Sequence, residues 1–533
     1  SVRIETIGTR AVLALAVLLL ISACSGATVV EPATLGVDNP TPTMMPSVTI
    51  GAQRPAATPS VSSKFESALP ASATQGPSPA LTPAPTMMPP TLTSTPIPLT
   101  TPTPSGIPSP VEEPLSLPED GTTTWYLPDH PQVVGMRDSI LAVYRANELE
   151  FDLGYPVQGF SPDPIYPRIF IRDTSTLMAG SSYFYPAERI RWGAEAFLRQ
   201  QYDQTTVSSE DGWQAGFGAI SATVGPDGAV DKATAVSDED THLIHAAYVV
   251  YQTIGGVDWL TEEVDGLPVI ARLNAAGDWF LAHRRDQATG LIQREHTTDW
   301  GDVRFQPTEG NPTDIVSEDV VWTASIYDQA IAYRAWHELA TVNRAVGDEA
   351  AAQRWEDEAE TLRRATNEHL WQPDRGFYRT HLHLTSLAHD FDEQAMVSIA
   401  NAVAVICGLT DAAQDAAIVA ALEDARLEAG AGKPGLVLYP PYPEGVFASP
   451  FMSPGSYQNG GVWDWWGGWQ VLAEFETGYS QSARTHLLQT ANDWAQHPGQ
   501  VFEWQQVTDL AGQGGDQYAG AAGVYAKVIV EGL

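Results

Sequence analysis

The chain runs to 533 residues, 43% hydrophobic and 9% aromatic, so it can bury a large core and a wholly disordered polypeptide is excluded. Its formal net charge of −37, from 65 acidic against 28 basic residues, repels phosphate backbones and anionic head groups; nucleic acid is excluded as a partner and a neutral substrate is expected. Two cysteines, Cys24 and Cys407, are too few for a disulfide framework or a zinc–cysteine site.

Residues 11–23, AVLALAVLLLISA, form an apolar run behind Arg3 and Arg10. The run is shorter than the about 20 residues that span a bilayer and suits the core of a signal peptide. It ends in Ile21-Ser22-Ala23-Cys24, which resembles the lipobox of bacterial lipoproteins. That resemblance implies a signal peptide over 1–24, lipid on Cys24, and an extracytoplasmic protein anchored to the cell membrane. Residues 31–115 hold 20 of the 40 prolines and one aromatic residue, Phe65, whereas every tryptophan lies at or after Trp125. Proline at this density prevents helix and sheet pairing, so 25–118 is expected to be a disordered Pro/Thr/Ser-rich tether and 119–533 a folded domain.

From Trp125 onward apolar residues recur with helical spacing, and twelve helices are predicted at about 131–147, 173–184, 186–201, 240–254, 258–285, 322–346, 348–371, 392–407, 411–427, 463–477, 480–496 and 516–531. Several ends are punctuated: Gly347 before Asp348, Gly408 before Thr410, Gly478 before Ser480, and Pro186 at the start of the third helix. The connections alternate in length. Those after the even-numbered helices are tight, at Tyr185, Gly255–Val257, Gly347, Gly408–Thr410 and Gly478–Tyr479, which makes antiparallel helix pairs. Those after the odd-numbered helices run to roughly 20–40 residues and are rich in Trp, Tyr, Asp, Gly and Pro. Helices that alternate up and down bring every long loop to one end. The expected fold is all-α, an (α/α)6 toroid of twelve helices in six hairpins with its site on the long-loop face.

The densest motif, YQNGGVWDWWGGW (Tyr457–Trp469), stands just before the tenth helix. Aromatic faces cover the apolar face of a pyranose, the amides of Gln458 and Asn459 suit its hydroxyls, and glycines let backbone approach closely. Some of Trp463, Trp465, Trp466 and Trp469 must instead pack the toroid. Two long loops carry carboxylates beside aromatic residues: REHTTDWGDVRF (Arg294–Phe305), with Glu295, Asp299 and Asp302 around Trp300, and HPGQVFEWQQVTD, with Glu503 between Phe502 and Trp504. Partial burial against such rings tunes a carboxylate for proton transfer. Both loops follow odd-numbered helices and so reach the same face.

YQNGGVW resembles the segment that lines the sugar site in several six-hairpin glycosidases and related sugar phosphorylases. FIRDTS (Phe170–Ser175) is similar to the W/F-x-R-D-T segment of glycogen-debranching and related enzymes, where Arg and Asp grip the sugar. DEDTHLIHAAYVVY leads Asp238, Glu239 and Asp240 into the fourth helix, where Asp240 also suits an N-cap. REHTTDWGDVRF resembles the general-acid loop of trehalase-like and family 63 glycosidases, and GDQYAGAAGVYAKVIVEGL resembles their last inner helix. Together these resemblances point to the six-hairpin glycosidase superfamily and imply an inverting glycoside hydrolase acting on a neutral oligo- or polysaccharide. The implied general acid is Asp302 or Asp299 and the implied base Glu503, about 6.5–9.5 Å apart. The implied sugar-binding residues are Arg172, Asp173, Asp238, Trp300, Tyr457, Gln458, Asn459, Trp463 and Asp464. His242, His245 and His296 form no metal-ligand pattern and no P-loop or dinucleotide fingerprint is present, so no metal and no cofactor are expected. Cys407 reads as an inert core thiol, and a monomer is expected. The alternatives are a polysaccharide lyase or sugar phosphorylase on the same toroid, or a glycan-binding lipoprotein without catalysis.

Overall fold

Pro131, whose missing amide hydrogen costs nothing in a first turn, opens α1 (Pro131–Ala146). The structure is a computed structural model and describes residues 130–533 except 204, 206–215, 229, 231, 233–235, 304–319 and 448. Cys24, the signal peptide and the tether lie outside the described residues. After α1 come α2 (Ile171–Ser181), α3 (Ala187–Arg199), α4 (Glu239–Ile254), α5 (Val269–Arg284), α6 (Ile326–Ala345), α7 (Glu349–His369), α8 (Ala400–Ile406), α9 (Ala412–Ala429), α10 (Asp464–Glu476), α11 (Ser480–Gln496) and α12 (Ala519–Gly532). The side chains of Ser325, Asp348 and Asp411 cap α6, α7 and α9. Gly347, Gly408 and Gly478 take left-handed φ values of 88°, 71° and 85° at the tight turns.

The even-numbered helices close a ring. α2 packs on α4, α4 on α6, α6 on α8, α8 on α10, α10 on α12, and α12 returns to α2. Outside them α1 lies against α12, α3 against α4, α5 against α4 and α6, α7 against α6, α9 against α8 and α11 against α10. This is the expected (α/α)6 toroid. Burial follows the layers. Inner α12 buries residues around its circumference from Ala519 to Ile529, whereas outer α7 buries one stripe: Ala352, Trp355, Ala359, Leu362 and Thr366. Where α2 meets α12 the backbones leave no room for side chains, since a Cβ on Gly180 would overlap the Gly523 carbonyl oxygen. Near that seam the Ala519 N–H donates to the Pro162 carbonyl at 2.6 Å, and Asn147 Nδ2 donates to the Gln517 carbonyl at 2.7 Å. The long loops all lead into N-termini of inner helices, which gathers them at one end of the ring.

Three predicted helices are shorter than their periodicity suggests. The fifth is interrupted after one helical turn, Asp258–Thr261, by a hairpin pairing Glu263–Val264 with Leu267–Pro268. Its turn residues Asp265 and Gly266 have φ of 48° and 79°; the tight turn expected at Gly255–Val257 is present, with Gly255 at φ 74°, and leads into this single helical turn. The sixth begins only at Ile326, because Trp322–Ser325 pairs with both Arg294–Glu295 and His381–His383. The eighth keeps only Ala400–Ile406, since Glu393–Ala395 forms a 3-10 turn and Val397–Ser398 pairs with Leu438–Tyr439. For these last two, pairing between long loops replaces helical continuation at the long-loop end of the ring. Cys407 is buried, and burial pushes its thiol up to about 11. No described helix is long and apolar enough to cross a membrane.

Candidate active site

The first turn of α2 presents Arg172 and Asp173 at the loop end of the ring. The Arg172 guanidinium grips Asp238 with two bonds, Nε to Oδ2 at 2.5 Å and Nη2 to Oδ1 at 3.1 Å. Asp238 Oδ2 also accepts from Tyr327 Oη at 2.8 Å and lies 3.2 Å from His242 Nε2. Burial alone would raise the Asp238 carboxyl, yet Arg172 and His242 hold it well below the usual range. Asp238 is fully buried, so it braces Arg172 and does not face a ligand as expected. His242 is held between Ser175 Oγ, 2.7 Å from Nδ1, and Tyr327 Oη, 2.9 Å from Nε2, while the other helix α4 histidine, His245, meets Glu338 at 2.6 Å. Asp173 accepts from Tyr518 Oη at 3.2 Å, and burial pushes its carboxyl up to about 7 against the pull of Arg172.

Glu503 lies in the loop after α11, steadied by the pairing of Trp504–Gln505 with Gly512–Gln513. Its Oε2 accepts from Tyr166 Oη at 3.0 Å and from the Gly515 N–H at 3.2 Å. Burial pushes this carboxyl up to about 7; the charges of Asp163 and Asp173 act the same way, and the two hydrogen bonds oppose. Gly514 (φ 68°) crosses directly over it, and a Cβ there would overlap Oε2.

Asp302, by contrast, is exposed. Gln458 clamps it at both ends of the amide: Nε2 donates to Oδ1 at 2.7 Å, and Oε1 accepts the Asp302 N–H at 3.2 Å and the Val303 N–H at 3.4 Å. Burial first, then the charges of Asp302 and Glu503, raise the Tyr457 phenol. The Tyr166 phenol is raised by burial, by Glu503 and Asp163, and by Asp302. Asp302 also acts on Arg172. The fold therefore brings Arg172, Asp173, Asp302, Tyr457 and Glu503 into one electrostatic neighbourhood, together with Tyr166.

Other expected residues take different positions. Asp299 is fully buried; Oδ1 accepts the Tyr327 N–H at 3.1 Å at the start of α6, and Oδ2 accepts from Ser398 Oγ. Burial pushes Asp299 up to about 6. Asn459 does not face a sugar: Nδ2 donates to the Tyr442 and Met452 carbonyls at 3.0 and 2.8 Å, and Oδ1 accepts the Tyr442 N–H at 2.7 Å. Nor does Asp464, which is buried against Lys433 Nζ at 2.6 Å and accepts from Trp494 Nε1 at 2.8 Å. Trp300 packs inward, its ring 5.1 Å from Trp463 and 4.7 Å from Trp466. Trp463 is buried and meets Tyr457 at 5.1 Å; Tyr457 itself is half-buried, with φ 45°. Of these three aromatic residues Trp300 and Trp463 are buried, and Tyr457 alone retains exposure. Tyr166 and Tyr518 escape the motif reading; a tyrosine flanked by Pro164 and Pro167 in a long loop is the one signal for Tyr166. His296 joins His381 and His383 around Glu393, each within hydrogen-bonding or near hydrogen-bonding reach of that carboxylate.

A family model described as mannosylglycerate hydrolase MGH1-like glycoside hydrolase domain matches residues 188–519. Among solved structures the chain is similar to a rhamnosidase from Klebsiella oxytoca with rhamnose bound (TM-score 0.51, 13% identity, over 77% of this chain and 66% of that one). It therefore spans just under two thirds of the rhamnosidase. It is also similar to a GH63 mannosylglycerate hydrolase from Thermus thermophilus in complex with glucose (TM-score 0.50, 16% identity, over 73% of this chain and 99% of that one). The same hydrolase in complex with Tris gives a TM-score of 0.51 at 16% identity, over 73% and 99% of the two chains. At these identities the likeness is one of fold. No curated protein sequence matches the chain.

Proposed function

The chain belongs to the mannosylglycerate hydrolase MGH1-like glycoside hydrolase family, and from that premise we propose that Asp302 and Glu503 cleave a glycosidic bond with inversion. In this reading Glu503 is the base. Its raised carboxyl suits proton abstraction near neutral pH, and Tyr166 and Gly515 both occupy Oε2, which leaves Oε1 for the attacking water. Asp302 is the acid. Gln458 donates to its Oδ1, which directs the transferable proton to Oδ2, toward the leaving oxygen. Asp299, buried with both oxygens engaged, is a less suitable acid and serves as a brace. The carboxyl groups of Asp302 and Glu503 are assigned the inverting separation of about 6.5–9.5 Å. Arg172 and Asp173 are assigned to sugar hydroxyls, beside Tyr457.

The observation that supports this reading is the Tyr166 bond to Glu503 at 3.0 Å together with the Gln458 bond to Asp302 at 2.7 Å, next to Tyr457. A neutral sugar fits, because Arg172, a cation that acts on Asp302 among the described residues, is committed to Asp238. The family description favours a second reading, a sugar linked to glycerate, which would need a cation for the glycerate carboxylate. We also assign lipid to Cys24, placing the domain outside the cytoplasm at a membrane surface. The deciding experiment screens the detergent-solubilised chain against neutral aryl glycosides, glucans and mannosylglycerate, and reads the first-formed anomer by NMR. An inverted product is expected; a retained anomer rejects the mechanism, and turnover of mannosylglycerate alone selects the second reading.

A further inference from the structure

Asp299 holds a left-handed backbone (φ 69°), which a residue with a Cβ adopts only when its surroundings impose it. Three contacts do so: Tyr327 N–H and Ser398 Oγ on the carboxylate, and His381 Nε2 on its own amide at 3.0 Å. A backbone N–H can only donate. His381 Nε2 must therefore accept, and the proton of the neutral ring sits on Nδ1. Nδ1 lies 3.0 Å from Tyr442 Oη, and Tyr442 Oη donates to Glu393 Oε1 at 2.6 Å. Nδ1 is itself 3.5 Å from Glu393 Oε1. Glu393 is further met by His296 Nε2 at 3.0 Å and His383 Nε2 at 2.6 Å. The result is a one-way chain of donors running from the Asp299 amide through His381 and Tyr442 to an ionised, buried carboxylate.

From Asp299 the path to Asp302 is short and tightly held. Trp300 is packed against Trp463 and Trp466, the Gly301 carbonyl accepts from Arg294, and Asp302 meets Gln458. We propose that His381 is a positioning residue for the general acid: it fixes the turn that carries Asp302 through the Asp299 amide, and Glu393 with Tyr442 fixes the His381 tautomer that makes this possible. The proposal rests on Asp302 being the acid. Glu393 and His381 come from the loop between α7 and α8, Tyr442 from the loop between α9 and α10, and Asp299 from the loop between α5 and α6. Three separate loops therefore meet to aim one carboxyl.

Leaving-group dependence tests it. Glycosyl fluorides leave without a proton, whereas methyl glycosides need the acid. For mannosyl and glucosyl fluorides of both anomers against the matching methyl glycosides, His381→Ala should lower kcat/KM for the methyl glycoside about thirtyfold more than for the fluoride. His381→Gln keeps an acceptor and a donor and should recover most of that ratio; Tyr442→Phe should shift it the same way by a smaller factor. Equal loss on both substrates, or no loss, overturns the proposal. Asp302→Asn that leaves the ratio unchanged overturns the acid assignment itself. Independently of any sugar, 15N-histidine spectra of the full chain should contain a ring fixed as Nδ1–H that is missing from His381→Gln; an Nε2–H ring at that position overturns the tautomer assignment.

Discussion

Gln458 and Asn459 are neighbours in one motif with opposite tasks, and spacing alone treats them alike. Gln458 meets Asp302, while Asn459 ties together the Tyr442 and Met452 backbone, so substitutions should separate. Gln458→Leu is expected to lower kcat by about 10–100-fold with little change in stability or KM, since Asp302, the proposed acid, loses its orienting bond. Asn459→Ala removes three buried hydrogen bonds and should cost about 3 kcal/mol in denaturant unfolding. A substantial KM effect for Asn459→Ala would restore it to the sugar site. Glu503 makes a pH prediction. As the proposed base, Glu503 must be ionised, so kcat/KM should fall as pH drops through about 7. Stability runs the other way: with a folded pKa of about 7 above the ordinary 4.5, the folded state binds this proton more tightly, and the contribution is present below pH 4.5 and lost as pH rises through 7. The stability gap between wild type and Glu503→Gln should change by on the order of 3 kcal/mol across that window. A gap that stays flat with pH would mean Glu503 is not raised.

The elements were legible where one force decided them and illegible where two competed. Outer α7 reads directly as a charged helix with one apolar stripe, and the glycines at 347, 408 and 478 mark real turns. Residues 322–325 and 397–398 continue an apolar pattern into the helix that follows, yet they pair as strands because loops distant in sequence offer partners. The Asp265–Gly266 hairpin, by comparison, carries a readable local signal that the surrounding helical periodicity obscures. The Glu503 loop shows the same dependence on a distant partner. Gly514 is required both by its φ of 68° and by the carboxylate beneath it. Gly514→Ala should fold, lose most turnover, and lower Tm by about 1–3 °C, the effect of about 1–2 kcal/mol of strain in a domain of this size. Wild-type turnover from Gly514→Ala would show that the loop has room to spare.

At the scale of the molecule, alternating loop lengths foretold the ring and the end at which its long loops gather, because the ring converts chain order into position. What chain order does not carry is which side chains are buried, and so Asn459, Asp464 and Trp300 read as sugar contacts although each is buried among protein partners, while Tyr166 on Glu503 went unread. Composition makes the remaining prediction. A chain lacking residues 1–118 should melt within about 2 °C of the full chain, and Cys24→Ser should move the protein from the membrane fraction to the soluble one. Unchanged membrane association would point to another anchor, and a lower melting temperature to a packed N-terminal segment. The seam between α2 and α12 sets one more condition. Gly180 and Gly523 come into backbone contact only when the final helix has been made, and Glu503 itself lies in the last long loop. Until α12 is in place, the inner faces of α2 and α10 that it covers have no partner in the ring, so closure of the toroid is expected to wait for that helix.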